Sequence, residues 1–275
     1  MSRVELIRAI LSRLDENVAV DWSKTAEGTP TRYAIIDDLL PEEITRRIHG
    51  CFPPQAEGFR VLDSFREKKR QAFDLSNRPE LLADIVYALQ SKPVVERIGE
   101  LTGIEGLDGD PTLYAGGVSM MLPGDFLNPH IDNSHEATRR KYRRINSLFY
   151  VTPDWVESNG GNLELWDDKV SEPVTIVSTF NRLVLMETND RSWHSVSPVV
   201  AGPPRCCVSN YYFSEASPNG EEYYHVTSFT GRPEQPLRRL WCSVDNAARL
   251  FARKALKLRR RADAGYVQGR AQAEA

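Results

Sequence analysis

Apolar positions follow two different rhythms along this chain. At the start, Val4, Ile7, Ile10, Leu11 and Leu14 fall at helical spacing, which predicts an amphipathic helix over residues 3–16. Tyr33 to Ile36 reads as a short strand, and Pro41 followed by Glu42 and Glu43 opens a helix that ends near Gly50. Two further helices are predicted at 79–90 and 93–102, so the first part, 1–108, is expected to be mainly helical. Beyond it the rhythm changes to short apolar or alternating runs: TLYAGGVSMML, INSLFYVTP, GNLELWD, VTIVST, RLVLMET and RCCVSNYYFS. These are rich in β-branched and aromatic residues and are separated by Pro, Gly, Asn and Asp, the pattern of an antiparallel sandwich or small barrel over 109–215. Helical spacing returns over 236–262. There Val244, Ala247, Phe251, Ala255 and Leu258 form an apolar stripe expected to pack on the domain, with Arg249, Arg253, Lys257 and Arg260 on another face. The expected fold is mainly β with flanking helices (α+β), one domain over 1–275.

Composition narrows the class. Of 275 residues, 41% are hydrophobic and 27% charged, enough to bury a substantial core, and the formal net charge of −3 gives no support to nucleic-acid binding. The opening MSRVELIRAILSRLDENV carries arginines and acids where a secretory apolar segment would sit, so a cytoplasmic protein is expected. The four cysteines, Cys51, Cys206, Cys207 and Cys242, form no CxxC pair. Neighbours on a strand point to opposite faces, so reduced thiols are expected rather than a disulfide framework.

Candidate chemistry centres on NPHIDNSH, residues 128–135. Residues i and i+2 of a strand share a face, so His130 and Asp132 can offer an imidazole and a carboxylate to one ion. His194 follows the apolar strand RLVLMET, and a distant barrel strand can bring it beside the first pair. Two histidines and one carboxylate on one side of a metal leave open positions, as in the facial triad of non-haem Fe(II) oxygenases. Such chemistry draws electrons from 2-oxoglutarate, whose far carboxylate needs a cation. Arg205, at the start of RCCVSNYYFS, offers a bidentate fork for it. His135 lies in the loop NSHEATRRKYRR, where a supporting contact is expected rather than ligation, and His49 and His225 are expected to be structural. Trp193 is expected to point away from the metal into the core.

With these residues in place, Met120 to Ser214 resembles the catalytic core of the prolyl 4-hydroxylase-like Fe(II)/2-oxoglutarate dioxygenases. The features LPGDFLNPHIDN, INSLFYVTPDW, NGGNLELWD, FNRLVLMETNDRSWHSVSPV and RCCVSNYYFS stand in that family's order. The resemblance implies a double-stranded β-helix, or jelly roll, with His130, Asp132 and His194 holding Fe(II) and Arg205 holding 2-oxoglutarate. It further implies that Tyr150 supports the far carboxylate, that dioxygen is the co-reactant, and that ascorbate is a candidate reductant. Leu122 departs from the oxygen-sensing members, which have a second co-substrate tyrosine there. Asp132 stands where halogenating relatives carry a small residue, so hydroxylation is expected.

The expected substrate is a small or carrier-linked metabolite (amino acid, saccharide or natural-product intermediate), anionic if Arg139, Arg140, Lys141, Arg143 and Arg144 serve it rather than forming a solvated loop. Protein prolyl hydroxylation is the alternative. A jelly-roll binding module without chemistry and a zinc hydrolase using the same ligands are rivals of other classes. The basic C-terminal helix is a candidate for peripheral membrane or partner contact.

Overall fold

A computed structural model of the chain describes residues 1–16, 22, 28–110, 112–114 and 116–255, the side chains of 249–255 excepted. In chain order it contains α1 (Arg3–Glu16), β1 (Tyr33–Ile36), α2 (Glu42–Gly50), β2 (Arg60–Asp63), β3 (Glu67–Ala72), α3 (Glu80–Leu89) and α4 (Lys92–Thr102). There follow β4 (Gly117–Met121), β5 (Phe126–Ile131), β6 (Tyr142–Tyr150), β7 (Leu163–Trp166), β8 (Pro173–Ile176) and β9 (Arg182–Glu187). The chain continues through β10 (His194–Val196), β11 (Arg205–Ser214), β12 (Ser228–Phe229) and α5 (Pro236–Ala255).

The strands join into one antiparallel sheet in the order β1-β9-β6-β11-β4-β3-β5-β10-β7-β8, with β2 beside β3 and β12 beside β5. The sheet curls on itself, because side chains from β3, β4, β5, β6, β7, β10 and β11 line a single cavity. The run of short alternating strands predicts an antiparallel sandwich or small barrel, and the curled sheet is consistent with the jelly-roll core that the resemblance implies.

Period-2 alternation on β11 explains how the sheet serves two masters. Cys206, Val208 and Tyr212 belong to the core shared with the helices, where the Tyr212 hydroxyl donates to Leu89 O at 2.8 Å. Arg205, Cys207, Ser209 and Tyr211 face the cavity on the other side. Hence Cys206 and Cys207, adjacent in sequence, are both buried free thiols on opposite faces. The helices cover the outer face: Leu6, Ile10 and Leu14 of α1, spaced four apart, pack with Leu82, Ile85 and Leu89 of α3 and Val94 and Ile98 of α4.

One polar clip ties this helical layer to the sheet. Asn181, at φ 62°, donates through Nδ2 to Leu40 O (2.6 Å) and accepts from Leu40 N (3.2 Å) and Thr45 Oγ1 (2.8 Å). Asn181→Ala removes all three bonds, leaves buried groups unpaired, and places alanine in a left-handed conformation. A loss of about 2–4 kcal/mol in urea-unfolding stability is expected.

The β2–β3 hairpin lies within the segment that the sequence reads as mainly helical. Its sequences, RVLD and EKKRQA, lack an apolar alternation, yet β3 is an inner strand of the sheet, between β4 and β5. The cause is the cavity: Lys69 and Gln71, two residues apart, line it. The face that would be hydrophobic in a plain strand is polar here.

Candidate metal centre

His130 and His194 are direct cross-strand partners on β5 and β10, which places their imidazoles on the same face with ring centroids 4.1 Å apart. Each ring is held through Nδ1 by a backbone carbonyl, His130 by Asn128 O at 3.0 Å and His194 by Ser192 O at 2.9 Å. The carbonyls require Nδ1 to carry the proton, leaving both Nε2 lone pairs free to ligate. Asp132 comes one residue after the end of β5 rather than within the strand, and still turns its carboxylate to the same point. Its oxygens lie 3.7 Å from His130 Nε2 and 3.5 Å from His194 Nε2. One possible donor atom from each of the three residues falls within 4.8 Å of the others, a spacing that could hold a single ion.

Asp132 is held in its own right. Arg143 Nη1 lies 3.0 Å from Oδ2, and Asn146 Nδ2 donates to the same oxygen at 2.8 Å. Arg143 is 2% exposed, its guanidinium 4.0 Å from the Tyr211 ring centre and also donating to Asn133 Oδ1. Burial alone would raise the Asp132 carboxyl, but Arg143 and the two histidines hold it well below the usual carboxylate range. The basic loop thus divides: Arg143 braces a ligand, Arg144 is buried against Ser214 Oγ and Ala216 O, Arg139 stacks on Tyr224, and Lys141 pairs with Asp108. The solvated-loop reading of this run fails for Arg143 and Arg144, which lie within β6 and are buried. Arg143→Leu is expected to lower metal affinity about 10- to 100-fold with little change in fold, read by competition against a chelator.

Burial pushes the His130 imidazole down to about 3, with the neighbouring His194 adding to the effect. Burial also lowers His135, His225 and His49. The unfolded chain takes up protons near pH 6.5 that the folded chain refuses. Metal-free stability is therefore full above about pH 6.5 and lost as pH falls below it, by up to about 1.4 kcal/mol per pH unit for each such histidine. A flat urea midpoint between pH 7 and pH 5 would contradict this.

The cavity, of about 100 Å³, also contains Arg205. This guanidinium is 4% exposed, donates through Nε to Ser178 Oγ at 3.0 Å, and pairs with no carboxylate among the described residues. Ser178 in turn donates to Gly161 O at 2.9 Å. Gly161 has φ 63°, and a Cβ there would come within 2.9 Å of Arg205 Cδ, so the glycine makes room for the arginine. Tyr150 packs behind it, ring centre 4.7 Å from the guanidinium, its hydroxyl buried beside Arg205 and Ser178 without a well-formed hydrogen bond. A buried cation without a counter-charge is costly, and an incoming carboxylate removes that cost. Two imidazoles, a carboxylate and this unpaired guanidinium fit an iron ion and a chelating keto acid.

His135 stands apart from the cluster. It sits in an aromatic group with Tyr142, Tyr223 and Tyr224 and hydrogen-bonds Ser134 Oγ at 2.7 Å. Trp193 lines a separate hollow with Ile131, away from the ligating face as its place beside His194 predicts, but it is half-buried there and takes no part in the core, so the core-packing expectation fails. Among the cavity residues that escaped the sequence reading are Lys69, Gln71, Asn146 and Tyr211. The last two could have been found by extending the alternation from Tyr150 and Arg205 along their strands. Lys69 and Gln71 lie on a strand without an apolar signal. Phe229, stacked on His130 at 5.1 Å and 18°, lies beyond the recognised core and had no signal either.

Residues 116–213 match the family described as the 2OG-Fe(II) oxygenase superfamily. Prolyl 3-hydroxylase OGFOD1 of Mus musculus is 28% identical over 163 residues, which are 57% of this chain and 28% of that protein. This chain thus spans little more than a quarter of that relative. A prolyl hydroxylase from Trichoplax adhaerens, solved with a hypoxia inducible factor peptide, superposes with a TM-score of 0.54 at 19% identity, covering 74% of this chain and 92% of its own. A Pseudomonas putida prolyl-4-hydroxylase gives 0.54 at 17% identity, with coverage of 73% and 99%. Both share the fold.

Proposed function

We propose that this chain, whose residues 116–213 match the 2OG-Fe(II) oxygenase superfamily, is an Fe(II)- and 2-oxoglutarate-dependent dioxygenase whose substrate is a prolyl residue of a peptide or protein. The observation that carries the reaction class is the pairing, in one cavity, of the His130–Asp132–His194 donor set with the buried and unpaired Arg205. A non-catalytic module would have no use for that cation, and a zinc hydrolase with the same three ligands would have none either.

In this reading His130, Asp132 and His194 would hold iron. Arg205 takes the far carboxylate through its fork, with the Tyr150 hydroxyl as the nearest further donor. Iron and 2-oxoglutarate together supply the oxidising power: the keto acid and dioxygen become succinate and carbon dioxide, and one oxygen atom enters a C–H bond of the substrate as hydroxyl. The chain's part is to orient and to shield. Arg143 and Asn146 fix Asp132, and Leu127, Leu148, Leu163, Val196 and Met121 give the cavity an apolar wall against water.

The substrate half of the proposal replaces the expectation of a small or carrier-linked metabolite. Its support is that the similar curated and solved proteins are named prolyl hydroxylases. Proline-containing peptides and a pool of free amino acids and sugars, each offered with Fe(II), 2-oxoglutarate and ascorbate, test it by mass spectrometry. Oxygen gain on prolyl peptides is the expected result. Gain confined to the free metabolites would reverse the substrate assignment and leave the reaction class standing.

A further inference from the structure

Over its described residues helix α5 turns polar anchors inward and an apolar stripe outward. Its inward side is anchored by specific polar contacts. Asn246 exchanges two bonds with the Phe229 backbone, accepting from N at 3.1 Å and donating to O at 2.7 Å. Arg239 donates to Gly231 O at 3.0 Å, Asp245 pairs with Arg66, and Cys242 is fully buried. The opposite side carries Leu237, Leu240, Trp241 and Val244, spaced i, i+3, i+4, i+7, with exposures of 76%, 66%, 69% and 57%. The expectation that Val244 packs on the domain therefore fails: residues 239, 242, 245 and 246 already occupy the inward face.

An exposed stripe of two leucines, a tryptophan and a valine needs a cover. The charge of the chain indicates which. Residues 253–261, RKALKLRRR, hold Arg253, Lys254, Lys257, Arg259, Arg260 and Arg261 and no acid; their side chains lie outside the described residues. An anionic lipid surface is the cover whose charge complements this cationic segment. Apolar side chains including tryptophan on one face and cations nearby are the features of helices that lie in a membrane interface. No helix among the described residues is long and apolar enough to cross a membrane, so the contact is one of lying on the surface. We propose that the outer face of α5 docks this protein on an anionic lipid bilayer, with Leu237, Leu240, Trp241 and Val244 entering the interface. Phe229, held by Asn246 on the inward side of α5, stacks on His130, so Phe229 and the body of the helix lie between His130 and the docked face.

The test is co-sedimentation of the full chain with vesicles of phosphatidylcholine alone and of equal parts phosphatidylcholine and phosphatidylglycerol, at low and at physiological salt. Pelleting with the anionic vesicles only, weakened by salt, is expected. The double variant Leu240→Glu, Trp241→Glu should pellet at least about tenfold less at equal lipid. Leu237→Glu, on the first turn, supplies the same comparison if the double variant does not fold. Protein that stays in the supernatant with both vesicle types, or variants that pellet as well as the parent, would overturn the proposal. So would a dimer in sedimentation velocity that the substitutions dissolve while no form binds lipid, since the cover would then be a second copy. None of these readouts depends on catalysis.

Discussion

Arg205→Met is expected to raise the KM for 2-oxoglutarate at least about 30-fold while the protein still binds its full complement of metal. The reasoning runs from burial. Arg205 is 4% exposed, has no carboxylate partner among the described residues, and makes one good hydrogen bond, to Ser178. In the proposed complex its charge is matched by the far carboxylate, and truncating one member of a buried, hydrogen-bonded ion pair costs about 2 kcal/mol or more. A 2 kcal/mol loss is about 30-fold in affinity. Methionine keeps much of the volume against Tyr150 and Gly161 without the charge, so the effect reports recognition rather than collapse. Arg205→Lys should recover part of the loss, because an ammonium restores the charge but not the planar fork. Succinate formation at varied 2-oxoglutarate gives the KM, and metal analysis of the same samples gives the control. An unchanged KM would remove Arg205 from the role.

His130→Ala is expected to weaken metal binding by more than about 100-fold, and His135→Ala to leave it within about twofold. Losing a supporting contact to a ligand already costs 10- to 100-fold, and His130 is proposed as a ligand itself. His130 faces His194 across the strand pair with its Nε2 directed at Asp132. His135 is buried among tyrosines instead, and takes no part in the donor cluster. The two histidines lie five residues apart, so a shared effect on folding would act on both. Equal metal loss in the two variants would mean that the donor set has been misassigned.

The sequence made the site legible where chemistry and local geometry coincide. The structure brings His130, Asp132 and His194, chosen for donor type, into one cluster, although Asp132 lies just past the end of β5, and it places Arg205, which opens an apolar strand, in the same cavity. An antiparallel sandwich or barrel could be read from the short, Gly- and Asn-punctuated strands, and the jelly roll from the family resemblance. What escaped has a common physical cause. On β3 the inward positions include Lys69 and Gln71, polar because they face the cavity, so the hydrophobic period on which strand reading depends is missing. Arg143 and Arg144 looked like solvated loop because burial of a cation depends on partners remote in sequence: Asp132 for one, Ser214 and Ala216 for the other. On α5 the periodicity itself was visible. Which face turns inward was not, since Asn246, Arg239 and Asp245 decide it through polar contacts with distant backbone and with Arg66.

The central claim is that His130, Asp132, His194 and Arg205 form one oxidising site fed by 2-oxoglutarate. The most direct measurement is succinate released from 2-oxoglutarate by the purified chain, loaded with Fe(II) under air, beside the His130→Ala protein. The account predicts metal-dependent succinate from the parent, even at a slow uncoupled rate without a second substrate, and none above background from the variant. A fully metal-loaded parent that releases no succinate, with or without prolyl peptides, would contradict it.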